Sequence, residues 1–144
     1  MSKRNDITNN IVDVLTDSND PKPVFVTREV IDDLNKLGRT QFPAVVVKTG
    51  DESRTEFTMQ GSSGDRRSVL NIICDCYVTG TDLDRQRNDI AERVEEALEA
   101  DRSRDGHALD TRLTELAIDE AIDTRYGLIT LTFEVEYIYQ RGVA

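Results

Sequence analysis

Ile129-Thr130-Leu131-Thr132-Phe133-Glu134-Val135-Glu136-Tyr137 is the stretch that decides the fold. Apolar and polar residues alternate along it without a break, the two-residue period of a strand with one face in a core and one in water. Such a strand needs neighbours, and the sequence upstream supplies them. In residues 69–78, Leu70, Ile72, Cys74, Cys76 and Val78 share one face, while Val69, Asn71, Ile73, Asp75 and Tyr77 share the other. Both faces are partly apolar, so this strand is expected at the centre of a sheet or under a neighbouring subunit.

Between these strands lies a helix. Gly80 ends strand 69–78, and Thr81 or Asp82 is placed to cap the helix. Leu83, Arg87, Ile90, Ala91, Val94, Ala97 and Leu98 fall on one stripe, with Asp84, Asp89, Glu92, Glu95, Glu96 and Glu99 over the rest. A loop over 101–108 leads to a further strand containing Leu113, Leu116 and Ile118, and 121–127 turns into the last one.

Nearer the N-terminus, a helix is expected over 6–17, with Ile7, Ile11, Val14 and Leu15 on one face. Asp20-Pro21-Lys22-Pro23 breaks it. Residues 24–27 form a short strand, and a second helix runs over 29–37 to Gly38. Phe42-Pro43 opens the strand Ala44-Val45-Val46-Val47-Lys48, whose unbroken apolar run predicts burial on both faces. Residues 50–66 read as a polar, mobile hairpin with arm 54–59, turn 61–65 and a return near Arg66. The whole is a single α+β domain over 1–144: an antiparallel sheet of four to five strands with a long hairpin, and helices packed on it.

The 144 residues suit one core, and no apolar run is long enough for a membrane helix. The N-terminus lacks the apolar segment of a signal peptide. The net charge of −10 excludes a general nucleic-acid binder, which needs a basic patch. That charge is concentrated: residues 82–123 hold 14 acids and 6 bases. Asp outnumbers Glu by 17 to 11 and Arg outnumbers Lys by 14 to 4. Arginine suits interfaces and bidentate ion pairs, and the Asp-rich, Lys-poor balance also fits a salty cytoplasm.

Motifs for chemistry do not assemble. Cys74 and Cys76 sit on one face of a strand about 6.5 Å apart, too strained a spacing for a disulfide, and a single histidine leaves a zinc site short of ligands. They read as buried structural thiols, which fits a reducing cytoplasm. His107 has no nucleophile beside it. Asp101-Arg102-Ser103-Arg104-Asp105-Gly106 opens like a calcium loop, but position 12 is Arg112 where a bidentate glutamate belongs. Gly61-Ser62-Ser63-Gly64 lacks the following Lys-Ser/Thr of a phosphate loop. No catalytic, metal-binding or cofactor-binding residue is assigned.

In order, the elements are the N-terminal helix, the strand Pro43-Ala44-Val45-Val46-Val47, the long hairpin returning through 69–78, the helix from Thr81-Asp82 through Ala91-Glu92-Arg93-Val94-Glu95-Glu96-Ala97-Leu98, then Leu109-Asp110-Thr111-Arg112-Leu113 and 131–137. This succession resembles the tail terminator (tail completion) proteins of long-tailed viruses, over nearly the whole chain and best over 69–139. The resemblance implies a non-enzymatic virion protein, made in the host cytoplasm and located at the head-proximal end of the tail. Such proteins form a hexameric ring on the tail tube. They stop tube polymerisation, contact the neck or connector protein, and let viral DNA pass through the pore; no membrane or cofactor is involved.

A ring needs a head-to-tail interface. Ile73 and Tyr77 of the two-sided strand, with Arg54, Phe57, Met59, Arg66 and Arg67 of the hairpin, are the candidates for it. Glu134 and Glu136, on the wet face of the last strand, are the candidates for facing the lumen or a neighbour. Six copies at −10 give about −60, which repels passing DNA. A neck or head-completion adaptor of the same kind of particle is the nearest alternative. A cellular ferredoxin-like ligand-binding or enzymatic domain is more remote.

Overall fold

The longest alternating segments form the longest pairing. The computed structural model describes residues 3–17, 25–29, 42–56, 65–123 and 126–140, of which 54–56, 65–66, 119–123 and 139–140 are described in backbone only. In it β3 (Asp65–Thr79) and β5 (Tyr126–Gln140) run antiparallel in one register from Asp65↔Gln140 to Thr79↔Tyr126. β2 (Ala44–Glu56) pairs antiparallel with the other side of β3, and β4 (Asp110–Asp123) with the other side of β5. β1 (Phe25–Thr27) adds to β2 in parallel through three residues, giving the order β1-β2-β3-β5-β4. The fold is α+β, as the sequence predicts, except that this edge pairing makes the sheet mixed.

The helices α1 (Lys3–Thr16) and α2 (Leu83–Glu99) close the core. α1 buries Ile7, Thr8, Ile11 and Leu15 at the four- and three-residue spacing that defines one helix face. The stripe expected on α2 is the one it buries: Arg87, Ile90, Ala91, Val94 and Leu98, with Leu83 and Ala97 partly covered. Beneath them lie Val45 and Val47 of β2, Leu70, Ile72, Cys74, Cys76 and Val78 of β3, and Ile129, Leu131, Phe133, Val135 and Tyr137 of β5. Tyr137 is fully buried and satisfies its hydroxyl on Glu52 at 2.6 Å. Ala44, Val45, Val46 and Val47 are all buried, which bears out the reading of that run as two-sided.

Three local features differ from the sequence reading. First, the valine strand and the hairpin arm are one 13-residue strand, so Gly50–Glu56 belong to β2. The join is a bulge between Thr49 and Glu52, where two residues oppose one on β3. Gly50 sits there because a Cβ would come within 3.0 Å of the Asn71 carbonyl oxygen. A second bulge lies between Leu113 and Glu115 of β4. Second, Asp82 occupies the N-cap position of α2 but is left-handed (φ 56°) and makes no side-chain cap. Gln86 instead folds back, its amide nitrogen donating to the Thr81 carbonyl at 2.6 Å. Third, α1 begins at Lys3, which donates to the Ile138 carbonyl at 3.0 Å and ties the helix start to β5. The helix expected over 29–37 and the turn expected over 61–65 fall outside the described residues, apart from Glu29 and Asp65.

Burial differs sharply along these strands, and stability should track it. Phe133→Ala removes a fully buried ring and is expected to cost about 3–5 kcal/mol. Leu116→Ala, at a site 53% exposed, should change stability by no more than about 0.5 kcal/mol. Urea denaturation of the two variants checks the contrast.

Candidate functional site

The sheet has two faces of different chemistry. One carries the core. On the other, a chain of alternating charges crosses three strands. Glu136 on β5 is 14% exposed and contacts Arg112 of β4 at 2.6 Å and Arg67 of β3 at 3.0 Å. Arg112 also reaches Glu134 at 3.1 Å and Asp110 at 3.5 Å. Asp110 in turn pairs with Arg102 at 2.7 Å. The cross-strand register builds this: Arg112 opposes Glu134, and Asp110 and Val69 both oppose Glu136. Arginine, unlike lysine, can serve several carboxylates at once from one planar fork. Farther along the same face Lys48 meets Asp75 at 2.5 Å, and the Thr130 hydroxyl donates to Asp75 at 2.8 Å.

These contacts set the ionisation. The hydrogen bond from Arg112 holds the Glu136 carboxyl below its ordinary 4.5 despite burial, aided by the charges of Arg112 and Arg67. Burial alone would raise Asp110, but the hydrogen bonds from Arg102 and the Thr111 N–H outweigh it and hold it below 3.8. Hydrogen bonds to Glu136 and Glu134 raise Arg112.

The loop after α2 is a second polar construction. Asp101 accepts from the Ser103 hydroxyl at 2.5 Å, the Ser103 N–H at 3.0 Å and the Asp105 N–H at 2.9 Å, and its carboxyl is held at about 2. Arg104 and Asp105 are left-handed (φ 52° and 57°), followed by Gly106 (φ 84°). This turn folds the Arg104 side chain fully inside, where its guanidinium donates to the carbonyls of Leu98 and Asp101. A cation there answers the free carbonyls and negative dipole end of α2, whose last turn has no basic residue of its own. The calcium-like spacing noted in the sequence is thus occupied by the protein's own donors. Among the described residues no group of three or more His, Cys, Asp or Glu is arranged to hold a metal.

Of the interface candidates, Arg67 belongs to the charge network, and Ile73 and Tyr77 are half-buried on the same face of β3. Arg54 and Arg66 are paired in backbone register, Arg54↔Ser68 and Glu56↔Arg66. Phe57 and Met59 lie outside the described residues. Glu134 and Glu136 are on the sheet face opposite the core, as the alternation requires, but both are engaged within the chain by Arg112. Sequence reasoning missed Arg112 and Arg104. For Arg112 the available signal was its alternation with Asp110, which places both on one face of β4. For Arg104 there was none, because its role depends on three consecutive left-handed residues. Cys74 and Cys76 are free and fully buried, and burial pushes the Cys74 thiol up to about 12.

A cleft of about 640 Å³ lies between α2 and Pro43, lined by Val78, Arg85, Gln86, Asp89 and Arg93 among others. No helix among the described residues is long and apolar enough to cross a membrane.

Removing the hub carboxylate should be felt. Glu136→Gln is expected to cost about 1 kcal/mol, small because Arg112 and Arg67 are partly solvated. All three perturbed carboxyls have depressed values, so their contribution is complete at neutral pH and is lost only as pH falls through 4.5 for Glu and 3.8 for Asp toward the folded-state values. Stability measured from pH 7 down to about 2 should therefore stay level until the carboxylate range, and Glu136→Gln should flatten the acid limb. The thiols give a separate check. A thiol reagent at neutral pH should label neither cysteine in the folded chain and both after denaturation.

No protein-family model matches the chain, and no curated protein matches it. Among solved structures it is similar to a chain described as "Virion of native gene transfer agent (GTA) particle", at 7% identity over 94% of each chain with a TM-score of 0.45. Likeness at this level is too slight to carry a conclusion.

Proposed function

We propose that the chain is a structural subunit of a tailed virus-like particle, a tail terminator. On this reading it closes a hexameric ring on the head-proximal end of the tail tube, halts tube growth, and joins the neck while DNA passes through. It performs no catalysis and holds no cofactor. The observation that carries the reading is the order and pairing of elements: α1, the β2–β3 hairpin, α2, then the β4–β5 hairpin, with both helices on one face of the sheet. That is the succession on which the resemblance to tail terminators rests.

The charge distribution refines the reading. The carboxylates on the sheet face are matched by Arg67, Arg102, Arg112 and Lys48. The surplus acid stands on α2, where Glu92, Glu96 and Glu99 are exposed and form no ion pair among the described residues. It is α2, more than β5, that would supply a surface repelling DNA.

Mixing the purified protein with polymerising tail-tube subunits tests the proposal. Tubes should shorten as the protein is added, and electron micrographs should show a ring with an open centre at one tube end only. Tubes that elongate freely, with bare ends, would overturn it.

A further inference from the structure

β4 is the long edge strand of the sheet, with β5 on one side and no strand on the other among the described residues. Residues 114–118 are all exposed, including Leu116 at 53% and Ile118 at 49%. Residues 115–119 lie between the two register shifts of β4 and keep a regular ladder with β5. Natural sheets blunt such an edge with lysine, proline or a covering element. Residues 110–123 contain neither lysine nor proline. A regular, bare edge of this kind is a template for another strand.

The alternation of this edge separates two chemistries. Leu116 and Ile118 lie opposite Leu131 and Ile129, on the helix side of the sheet, where the helices shelter Leu113 and leave them bare. Glu115, Ala117 and Asp119 lie opposite Thr132, Thr130 and Leu128, on the other side. Glu115 is exposed and forms no ion pair among the described residues, and none of those three residues across β5 carries a charge. Arg112, the one base on β4, is taken by Asp110, Glu134 and Glu136. Residues 113–123 carry Glu115, Asp119, Glu120 and Asp123 and no base at all. The edge is therefore apolar toward the helices and acidic away from them.

We propose that this edge takes up a strand of a different protein, one that alternates apolar residues with lysine or arginine. Its apolar side chains extend the shelf of Leu116 and Ile118, its cations stand across from Glu115 and Asp119, and its backbone completes the ladder. Charge selects this occupant over a second copy of the chain. β4 laid on β4 sets acid against acid. The open stretch of β2, residues 47–56, carries Asp51, Glu52 and Glu56 against Lys48 and Arg54, and Lys48 already holds Asp75. β1 spans three residues, too few to cover the exposed run of β4. The inference goes beyond the ring reading and does not rest on it.

Calorimetric titration of the full chain with blocked synthetic peptides of about nine residues, long enough to span the edge, tests it. A peptide alternating valine and lysine should bind and should protect amides of 114–118 from hydrogen exchange. Peptides alternating valine with serine or with glutamate should bind at least about 10-fold more weakly. Leu116→Thr/Ile118→Thr and Glu115→Lys, all at exposed sites, should keep the wild-type melting temperature and each weaken the valine–lysine peptide on the order of 10-fold. Asp51→Lys makes the same change in net charge at an exposed site on β2 and should leave that binding unaltered. The proposal is overturned if the valine–lysine peptide does not bind, if the serine peptide binds as well, or if Asp51→Lys weakens binding as much as Glu115→Lys. It is equally overturned if the chain alone self-associates on sedimentation with 114–118 protected, which would make a second copy the occupant. None of these results bears on whether the chain caps tail tubes.

Discussion

The antiparallel ladder between β3 and β5 is the constraint on which the remaining structure depends. It runs fifteen residues on each strand without a register shift. Because side chains alternate with period two, one constant register fixes which face every residue of both strands occupies. That single choice gathers five residues of β3 and five of β5 under the two helices. It also aligns Arg67 and the two glutamates on the opposite face. α1 and α2 are then placed by what they must cover, and β2 and β4 by the free sides of the central pair.

Much of this was legible in the sequence. The strict alternation at 129–137 and the split faces of 69–78 stated the buried sets of both strands and a central place for the second, though not that the two pair with each other, and the α2 stripe was correct to the residue. These signals are local and periodic, so they survive without knowledge of the fold. The parallel β1 escaped because the choice between parallel and antiparallel partners is non-local for a three-residue strand. The length of β2 escaped because the Gly50-Asp51 bulge interrupts the hydrophobic period and imitates a strand end. The network around Arg112 escaped for a related reason. Its members come from three strands and a loop, and only the cross-strand register brings them together. Arg104 is the clearest limit. Nothing in Asp101-Arg102-Ser103-Arg104 says which arginine goes inside, because the chain must first turn left-handed to take it there.

The partition of charge explains the arginine bias in physical terms. Arg112 contacts Asp110, Glu134 and Glu136, and Arg104 reaches two carbonyls from a dry position. The first task needs a rigid fork with several donors, and the second a cation that sheds water easily, which an ammonium does poorly. Lysine is left to single, partly solvated contacts, such as Lys48 with Asp75. The net acidity of the chain therefore overstates the acidity of the sheet face and understates that of the helix.

Two of the three register shifts lie on one line across the sheet; the third, between Asp119 and Asp123 of β4, lies apart from them. Thr49 opposes Ile72, Ile72 opposes Phe133, and Phe133 opposes Leu113, so the extra residues of β2 and β4 enter at the same level on either side of the unbroken central ladder. At that level each flanking strand takes in one residue more than its neighbour, roughly 3.3 Å. A strand that takes in an extra residue against a neighbour of constant register cannot stay straight: it bends there and its right-handed twist increases. The unbroken β3–β5 ladder therefore stays regular while the strands on either side of it absorb the distortion.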